Sequence, residues 1–459
     1  MIARLPMKSD VHIVVPEGWL SRGEAYVRGD GQQLAIFGGI PGEPVKARIF
    51  GRQGAQVRAR AIGPADRPHP DRVVPTCDKW GPCGGCPWMH LTVRGQYEAH
   101  ELLWNQAFDD VGIQAKAGPL HRVEGLLSEV RVQWGESDRG LPRVGVGGRE
   151  GTGLVAIPTC EKLSPLLHSF MGAAAASLRS NSVPTQGAVL GLRARQIGDE
   201  LLVGVRLPAF APAAAAWAAS LATTLVELRG VVAEYPPEAD RLGIGWQRLY
   251  GNDHLDWSVL GLRIRMGTEE HLPRHLPAFA SLLAAAPRLL GVEKGDAVLD
   301  VGAHIGARTL VLAQASGWAY GLESDDRVRA RAVENASANR VAAEFGAHSW
   351  PEAIEDVAPR LVGRRPLVWI DTGRKELGAR VVAAVQSLNP RRVALQGSNP
   401  PALARELARW MGAGWRFERM ERWDVDPNSP FAEAVAVLVS PDPSPPERRS
   451  PRRKTVSAR

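Results

Sequence analysis

Three of the four cysteines in this chain fall in one run, Cys77-Asp-Lys-Trp-Gly-Pro-Cys83-Gly-Gly-Cys86, and the fourth is Cys160. In a reducing compartment such grouping argues for metal ligation over disulfides, because thiolates bind soft metals and disulfides do not persist there. Gly84 and Gly85 let the backbone fold tightly around a centre held by Cys83 and Cys86. Zinc and an iron-sulfur cluster both accept four thiolates. Zinc ribbons pair two short Cys-x-x-Cys knuckles, whereas the division here is three plus one, which favours a cluster. The alternative is four unrelated buried thiols. If all four share one centre, Cys160 must return in space to the other three, and the segment between them must fold back.

The whole chain of 459 residues has ample material for cores: 44% of residues are hydrophobic and 23% charged. At roughly 100 to 200 residues per domain, two large or three smaller domains are expected, and bulk disorder is excluded. No window approaches about 18 uninterrupted apolar residues, so no membrane partner is expected. Residues Met1 to Asp10 lack the regions of a secretory signal, which points to a soluble, cytoplasmic chain. The formal charge is +7, but residues 441–459 carry six cations against Asp442 and Glu447, so only about +3 belongs to the rest. That Pro- and Ser-rich tail is expected to be disordered and able to attract polyanions without sequence preference.

Residues 1–65 read as short strands forming a small β barrel. Val45, Ala47 and Ile49 alternate with Lys46 and Arg48, while Val57, Ala59 and Ala61 alternate with Arg58 and Arg60. The apolar residues point inward, and the four cations form either a phosphate-contacting face or an ordinary solvated one. Residues 66–100 hold the cysteine loop. Residues 101–277 read as a mixed α+β domain, with a helix around Gln96 to Asp110, strands around Val130 to Trp134 and Leu201 to Val205, and a helix around 212 to 228. Residues 278–440 alternate regularly, with strands expected at Ala297 to Val301, Trp318 to Leu322, Leu367 to Asp371, Arg392 to Gln396 and Glu433 to Val439. Such alternation means α/β with a mostly parallel sheet.

The first of those strands runs into Asp300-Val-Gly302-Ala-His304-Ile-Gly306 and then a helix near Arg308. Glycines at a strand-to-helix turn let the backbone approach a ligand, and Glu323 at the end of the next strand can accept both ribose hydroxyls. The pair fits an adenosine nucleoside. An acidic first residue and the absence of a Gly-Lys-Ser/Thr phosphate loop favour S-adenosylmethionine over a dinucleotide; a purely structural turn is the alternative. His304 stands where a third glycine would give the ligand room, so its side chain either reshapes the pocket or points to solvent.

On these residues the chain resembles the RNA 5-methyluridine methyltransferases that carry an amino-terminal TRAM domain and a 4Fe-4S cluster. Phe37-Gly-Gly-Ile-Pro41-Gly42-Glu43 looks like the TRAM turn. Asp71-Arg72-Val73-Val-Pro75-Thr-Cys77, then Cys83-Gly-Gly-Cys86 and Cys160, is similar to the cluster signature. Asp300 to Gly306, Glu323, Asn335 to Asn339, Asp371 with Arg374, Ser398-Asn399-Pro400 and Glu433 follow in the family's order. The resemblance implies an OB-like TRAM barrel and a class I, Rossmann-like methyltransferase domain. It implies a 4Fe-4S cluster on Cys77, Cys83, Cys86 and Cys160, and S-adenosylmethionine at Asp300, Gly302, Gly306, Glu323 and Asp371. The partner it implies is ribosomal or transfer RNA, handled by a monomer and contacted through Lys46, Arg48, Arg58, Arg60 and Trp88, the tryptophan stacking on bases or else packing the cysteine loop.

The implied reaction methylates uridine carbon 5. That carbon is a poor nucleophile, so these enzymes add a cysteine thiolate to carbon 6, methylate the resulting enolate and remove a proton with a general base. In this chain the nucleophile's position is Ser398, the base's is Glu433, and the Asp-Pro-Pro-Arg-like segment reads Asp371-Thr-Gly-Arg374. The family's Gln-Val-Asn stretch is replaced by Pro273-Arg274-His275, and its histidines before the terminal glutamate by Asn428 and Phe431. Methylation of another RNA atom without a covalent adduct, or RNA binding without catalysis, are the alternatives to carbon-5 chemistry.

Overall fold

The computed structural model describes residues 11–29, 32–136, 142–149, 153–180, 190–207, 212–235, 245–268, 272–347, 351–361, 365–373 and 376–441. The basic tail and Arg374 lie outside the described residues.

One-sided apolar alternation builds the first unit. Strands β1 (Val11–Val14), β2 (Gly18–Trp19), β3 (Ala25–Gly29), β4 (Gln32–Phe37), β5 (Val45–Gln53) and β6 (Gln56–Pro64) form one sheet in the order β1-β5-β6-β4-β3-β2. Val27, Leu34, Ile36, Val45, Ala47, Ile49, Val57 and Ala59 share a single buried core, so the sheet curls around it, with β1 and β2 as its outer strands. Lys46, Arg48, Arg58 and Arg60 occupy the other face, where Arg48 and Arg60 are cross-strand neighbours.

The cysteine-bearing segment that follows is wedged between this sheet and helix α1 (Val93–Asp109). Trp88 is the wedge. It is fully buried, edge-on to Trp19 at 5.3 Å and to His100 at 4.8 Å between ring centroids. A side chain with no exposed surface cannot stack on RNA bases, so the expectation for Trp88 is corrected: it packs the cysteine loop.

The stretch expected to open the central domain is built instead into the C-terminal one. Trp104, Ala107 and Phe108 of α1 are buried in a core with Leu403, Leu407 and Trp410, and β7 (Leu120–His121) pairs in parallel with β22 (Arg416–Asp424). Gly118 makes this possible, because a Cβ there would lie 1.7 Å from the Met420 carbonyl oxygen.

The central sheet runs β10-β9-β8-β11-β12-β13-β14. Its strands are β8 (Glu129–Glu136), β9 (Pro142–Gly147), β10 (Leu154–Val155), β11 (Leu190–Ile197), β12 (Glu200–Arg206), β13 (Leu228–Glu234) and β14 (Trp246–Gly251). Helices α2 (Pro165–Ser180) and α3 (Ala213–Thr224) pack on it, with Phe170 and Trp217 fully buried. A hairpin of β15 (Leu255–Val259) and β16 (Leu262–Met266) leads to helix α4 (Leu276–Leu290).

The last sheet alternates as the sequence leads one to expect. It comprises β17 (Val298–Val301), α5 (Ala307–Ser316), β18 (Ala319–Leu322), α6 (Asp326–Asn339), β19 (Ala343–Gly346), α7 (Glu352–Leu361), β20 (Leu367–Asp371), α8 (Ala379–Ser387), β21 (Arg392–Gly397), α9 (Pro400–Gly412), β22 and β23 (Ala432–Val439). The order is β19-β18-β17-β20-β21-β23-β22-β7, with β17 to β21 mutually parallel and β23 antiparallel to both its neighbours. Among the described residues no helix is long and apolar enough to cross a membrane.

Because Phe108 is fully buried and meets Phe417 edge-on at 6.1 Å, Phe108→Ala should cost about 3–5 kcal/mol of unfolding free energy. Urea denaturation of the full chain, followed by tryptophan fluorescence, measures it. A loss below about 1 kcal/mol would mean that α1 is not integral to the C-terminal core.

Candidate functional site

The carboxyl ends of β17, β20 and β21 carry most of the sequence-derived candidates, and one unanticipated residue, Arg308, organises them. Its guanidinium is almost fully enclosed, with 4% side-chain exposure. Nε and Nη2 donate to Asp300 Oδ1 at 2.9 and 2.7 Å, Nη2 also to the Gly302 carbonyl at 2.8 Å, and Nη1 to Gln396 Oε1 at 2.8 Å. Nη1 lies 3.4 Å from Asp371 Oδ2, and the charge sits 5.3 Å from the Trp369 ring centroid.

This arrangement corrects the reading of Asp300. Its other oxygen accepts from Thr309 Oγ1 at 2.6 Å and the residue is fully buried. A carboxylate so occupied holds the turn together and presents nothing to a ligand. Gly302 and Gly306 keep the roles that glycine alone can fill. Both have positive φ, 78° and 82°; a Cβ on Gly302 would press on Asp371 at 3.1 Å, and one on Gly306 on Phe345 at 2.8 Å.

His304 also has positive φ, 50°, and its backbone N–H donates to Glu323 Oε2 at 2.9 Å. The other Glu323 oxygen accepts from the Asp325 N–H at 2.9 Å and the Ser324 hydroxyl at 3.3 Å, so Glu323 clamps two loops, with one acceptor position left on Oε2. The imidazole Nε2 of His304 faces Asp371 Oδ2 at 3.4 Å. Burial opposes the Asp371 charge, yet the bond to His304, the Arg308 charge and the Gly373 N–H at 2.8 Å hold this carboxyl below its usual range.

Ser398 follows β21 and donates its N–H to the Gly373 carbonyl at 3.1 Å, which puts it beside the loop after Asp371. Glu433 is the second residue of β23, where Gly397 is opposite Ala434 in the ladder. Gln396 Nε2 donates to Glu433 Oε2 at 3.2 Å, and burial together with the Asp371 charge pushes the Glu433 carboxyl up to about 7. Asp371, Ser398 and Glu433 therefore share one edge of the sheet. Pro273-Arg274-His275 is given over to structure: Arg274 Nη2 bonds Asp426 Oδ2 at 2.6 Å, and His275 Nδ1 caps α4 through the Ala278 N–H at 3.0 Å.

Sequence reasoning missed Arg308, Gln396 and Trp369. A signal existed for the first: an arginine within the otherwise apolar turn-to-helix run Ala307 to Ala313 needs a buried partner.

The second candidate site is the cysteine group. Cys77, Cys83, Cys86 and Cys160 all line one cavity of about 80 Å³, together with apolar side chains such as Met89 and Leu163 and the cations Lys162 and Arg274. The two cysteine segments are tied by Thr76 Oγ1 donating to Glu161 Oε2 at 2.9 Å, and the Arg149 N–H, after β9, donates to the Pro82 carbonyl at 2.8 Å. Burial pushes the thiols of Cys83 and Cys160 up and that of Cys86 up to about 12. Among the described residues no three Cys, His, Asp or Glu side chains converge tightly enough to hold a single metal ion.

The cation face is uneven. Lys46 and Arg48 are exposed; Arg58 and Arg60 are half-buried, the first 3.7 Å from Glu24 and the second over the Phe37 ring.

No protein-family profile matches the chain. Over 432 residues it is 29% identical to the 23S rRNA (uracil(1939)-C(5))-methyltransferase RlmD of Aeromonas salmonicida, a match covering 90% of this chain and 92% of that protein. It is 26% identical over 442 residues to an uncharacterized RNA methyltransferase of Streptomyces coelicolor, covering 89% and 88%. In fold it is similar to the tRNA (uracil-54, C5)-methyltransferase of Pyrococcus abyssi solved in complex with S-adenosyl-L-homocysteine, with a TM-score of 0.69 at 16% identity over 93% of this chain and all of the other.

Glu433 makes stability depend on pH with a definite sign. Its carboxyl loses its proton near 4.5 when the chain is unfolded and near 7 when folded, so the unfolded state releases that proton first and stability falls as pH rises between those values. Glu433→Gln should flatten that part of the urea midpoint-against-pH curve, and an unchanged curve would mean that the carboxyl is ionised in the fold.

Proposed function

We propose that the protein is a divergent S-adenosylmethionine-dependent RNA methyltransferase of the uracil-carbon-5 type, acting on ribosomal or transfer RNA. One observation carries this reading: Asp371, Ser398 and Glu433 gather at one sheet edge, in a chain alike over nine-tenths of its length to a relative named for that reaction. The Gly302 to Gly306 turn and the acceptor position left on Glu323 Oε2 suit an adenosine ligand. S-adenosylmethionine, when bound, supplies an electrophilic methyl group. Glu433, poised near 7, suits the base that accepts the carbon-5 proton at neutral pH.

The cysteine cavity fits a 4Fe-4S cluster held by Cys77, Cys83, Cys86 and Cys160. All four thiols line one cavity, and buried thiols with Lys162 and Arg274 beside them gain from becoming thiolates on an anionic cluster. The curled N-terminal sheet fits a TRAM-like barrel in residues 1–65, presenting Lys46 and Arg48 to RNA phosphates, with the cysteine loop at 66–100 and the methyltransferase domain at 278–440.

A second reading, RNA binding without methylation at carbon 5, is favoured by Ser398. A serine hydroxyl does not add to carbon 6 without a strong base, and every cysteine of the chain faces the cavity. Incubation with labelled S-adenosylmethionine and unmodified ribosomal and transfer RNA, followed by nucleoside analysis, separates the readings. 5-Methyluridine supports the first, a different methylated nucleoside moves the reaction to another RNA atom, and no label in RNA that the protein binds supports the second. Anaerobically purified protein should contain about four iron and four sulfide per chain; zinc without sulfide would sink the cluster assignment.

A further inference from the structure

The C-terminal sheet reverses its strand order between β17 and β20: from β17 the chain proceeds to β18 on one side, and it returns to β20 on the other. The crevice outside the carboxyl ends at such a point is where open α/β sheets take ligands. Here the crevice is bridged. His304, on the turn after β17, and Asp371, at the end of β20, face each other across it at 3.4 Å.

The imidazole is held there by its backbone. A φ of 50° is uncommon outside glycine, although histidine with asparagine and aspartate adopts it more often than other residues, and the His304 N–H is tied to Glu323 at 2.9 Å. About a third of the imidazole, 32%, remains exposed. The charged groups around it come from five elements: Asp300 on β17, Arg308 on α5, Glu323 after β18, Asp371 on β20 and Glu433 on β23. Asp300, Asp371 and Glu323 alone would make a strongly anionic crevice. Arg308 and a protonated His304 cancel most of that charge from within the protein.

The adenosine ligand of the proposed reaction exists in two charge states, a sulfonium cation before methyl transfer and a neutral thioether after it. We propose that His304 is the specificity-determining residue of this crevice: as an imidazolium paired with Asp371 it favours neutral S-adenosylhomocysteine, and as a neutral imidazole it admits cationic S-adenosylmethionine. This inference rests on the cofactor reading above. Burial works against the imidazolium, but the bond and charge of Asp371 outweigh it and raise the group above its ordinary 6.5.

The test is isothermal titration of the full chain with each ligand at about pH 6 and about pH 8.5. The two ligands share their adenosine and amino-acid parts, so the ratio of their dissociation constants isolates the sulfonium charge. S-adenosylhomocysteine should bind about tenfold or more tightly at the lower pH, and the ratio should narrow by about tenfold at the higher. His304→Asn, which tolerates the same backbone conformation, should abolish the narrowing. Glu433, pushed up to about 7, changes charge between these two pH values and would shift the ratio in the same direction, so Glu433→Gln must retain the narrowing. A ratio that does not move with pH in the unaltered protein overturns the inference, as does narrowing that survives in His304→Asn or vanishes in Glu433→Gln. Binding of neither ligand at either pH overturns the cofactor reading itself, and the inference with it.

Discussion

One guanidinium ties together the edge of the sheet on which the candidate chemistry sits. Arg308 reaches Asp300 at the end of β17, Asp371 at the end of β20 and Gln396 on β21, and Gln396 passes the connection on to Glu433 on β23. Two carboxylates on adjacent strands would repel each other across that edge if the cation were absent. Enclosing a charge is costly unless its partners satisfy it completely, and here carboxylate, amide and carbonyl acceptors with an aromatic face do so. The positions of Asp371 and Glu433 thus follow from Arg308, and the free space left to a ligand follows from theirs.

A second set of buried charges joins this edge to the cysteine cavity. Asp426, in the loop between β22 and β23, pairs with Lys162 and Arg274, both of which line the cavity. The same loop accepts the Trp88 N–H at the Asn428 carbonyl at 2.9 Å and the Gln96 side chain at Asn428 Oδ1, also at 2.9 Å. Asn428 has φ 64°, a conformation that asparagine adopts more readily than histidine or most other residues. Glu433 follows five residues later. Whatever holds the four thiols in place therefore also holds the loop that delivers Glu433, so the cysteine segment is part of the scaffold of the sheet edge despite lying outside its domain.

The legible parts of the sequence were those set by local period and by glycine. The five C-terminal strands expected from apolar runs all form, and Gly302 and Gly306 take the positive φ that their turn requires. The convergence of Cys160 on the other cysteines could be stated as a requirement because a shared centre demands it. Pairings between distant residues were not legible. Nothing local to Val93–Asp109 says that its apolar face belongs with α9 rather than with the sheet that follows it, and β7 is only two residues long. Trp88 reads alike as a stacking platform or a core residue until Trp19 and His100 are seen against it. Asp300 matched a ligand-binding pattern, and only the three-dimensional arrangement shows that Arg308 and Thr309 already occupy it.

The two carboxyl groups at the edge are driven apart in protonation. Asp371 is held ionised by the cations beside it, while Glu433, buried next to that negative charge, is pushed up to about 7. Such a split assigns roles: one group stays a fixed charge while the other exchanges a proton near neutrality. A group titrating near 7 can accept an acidified carbon proton, but it is far too weak a base to ionise a serine hydroxyl to any useful extent. The edge therefore holds a group able to accept a proton near neutrality beside a Ser398 hydroxyl able only to donate or accept a hydrogen bond. A substrate atom that is nucleophilic on its own would need only that hydroxyl and that base.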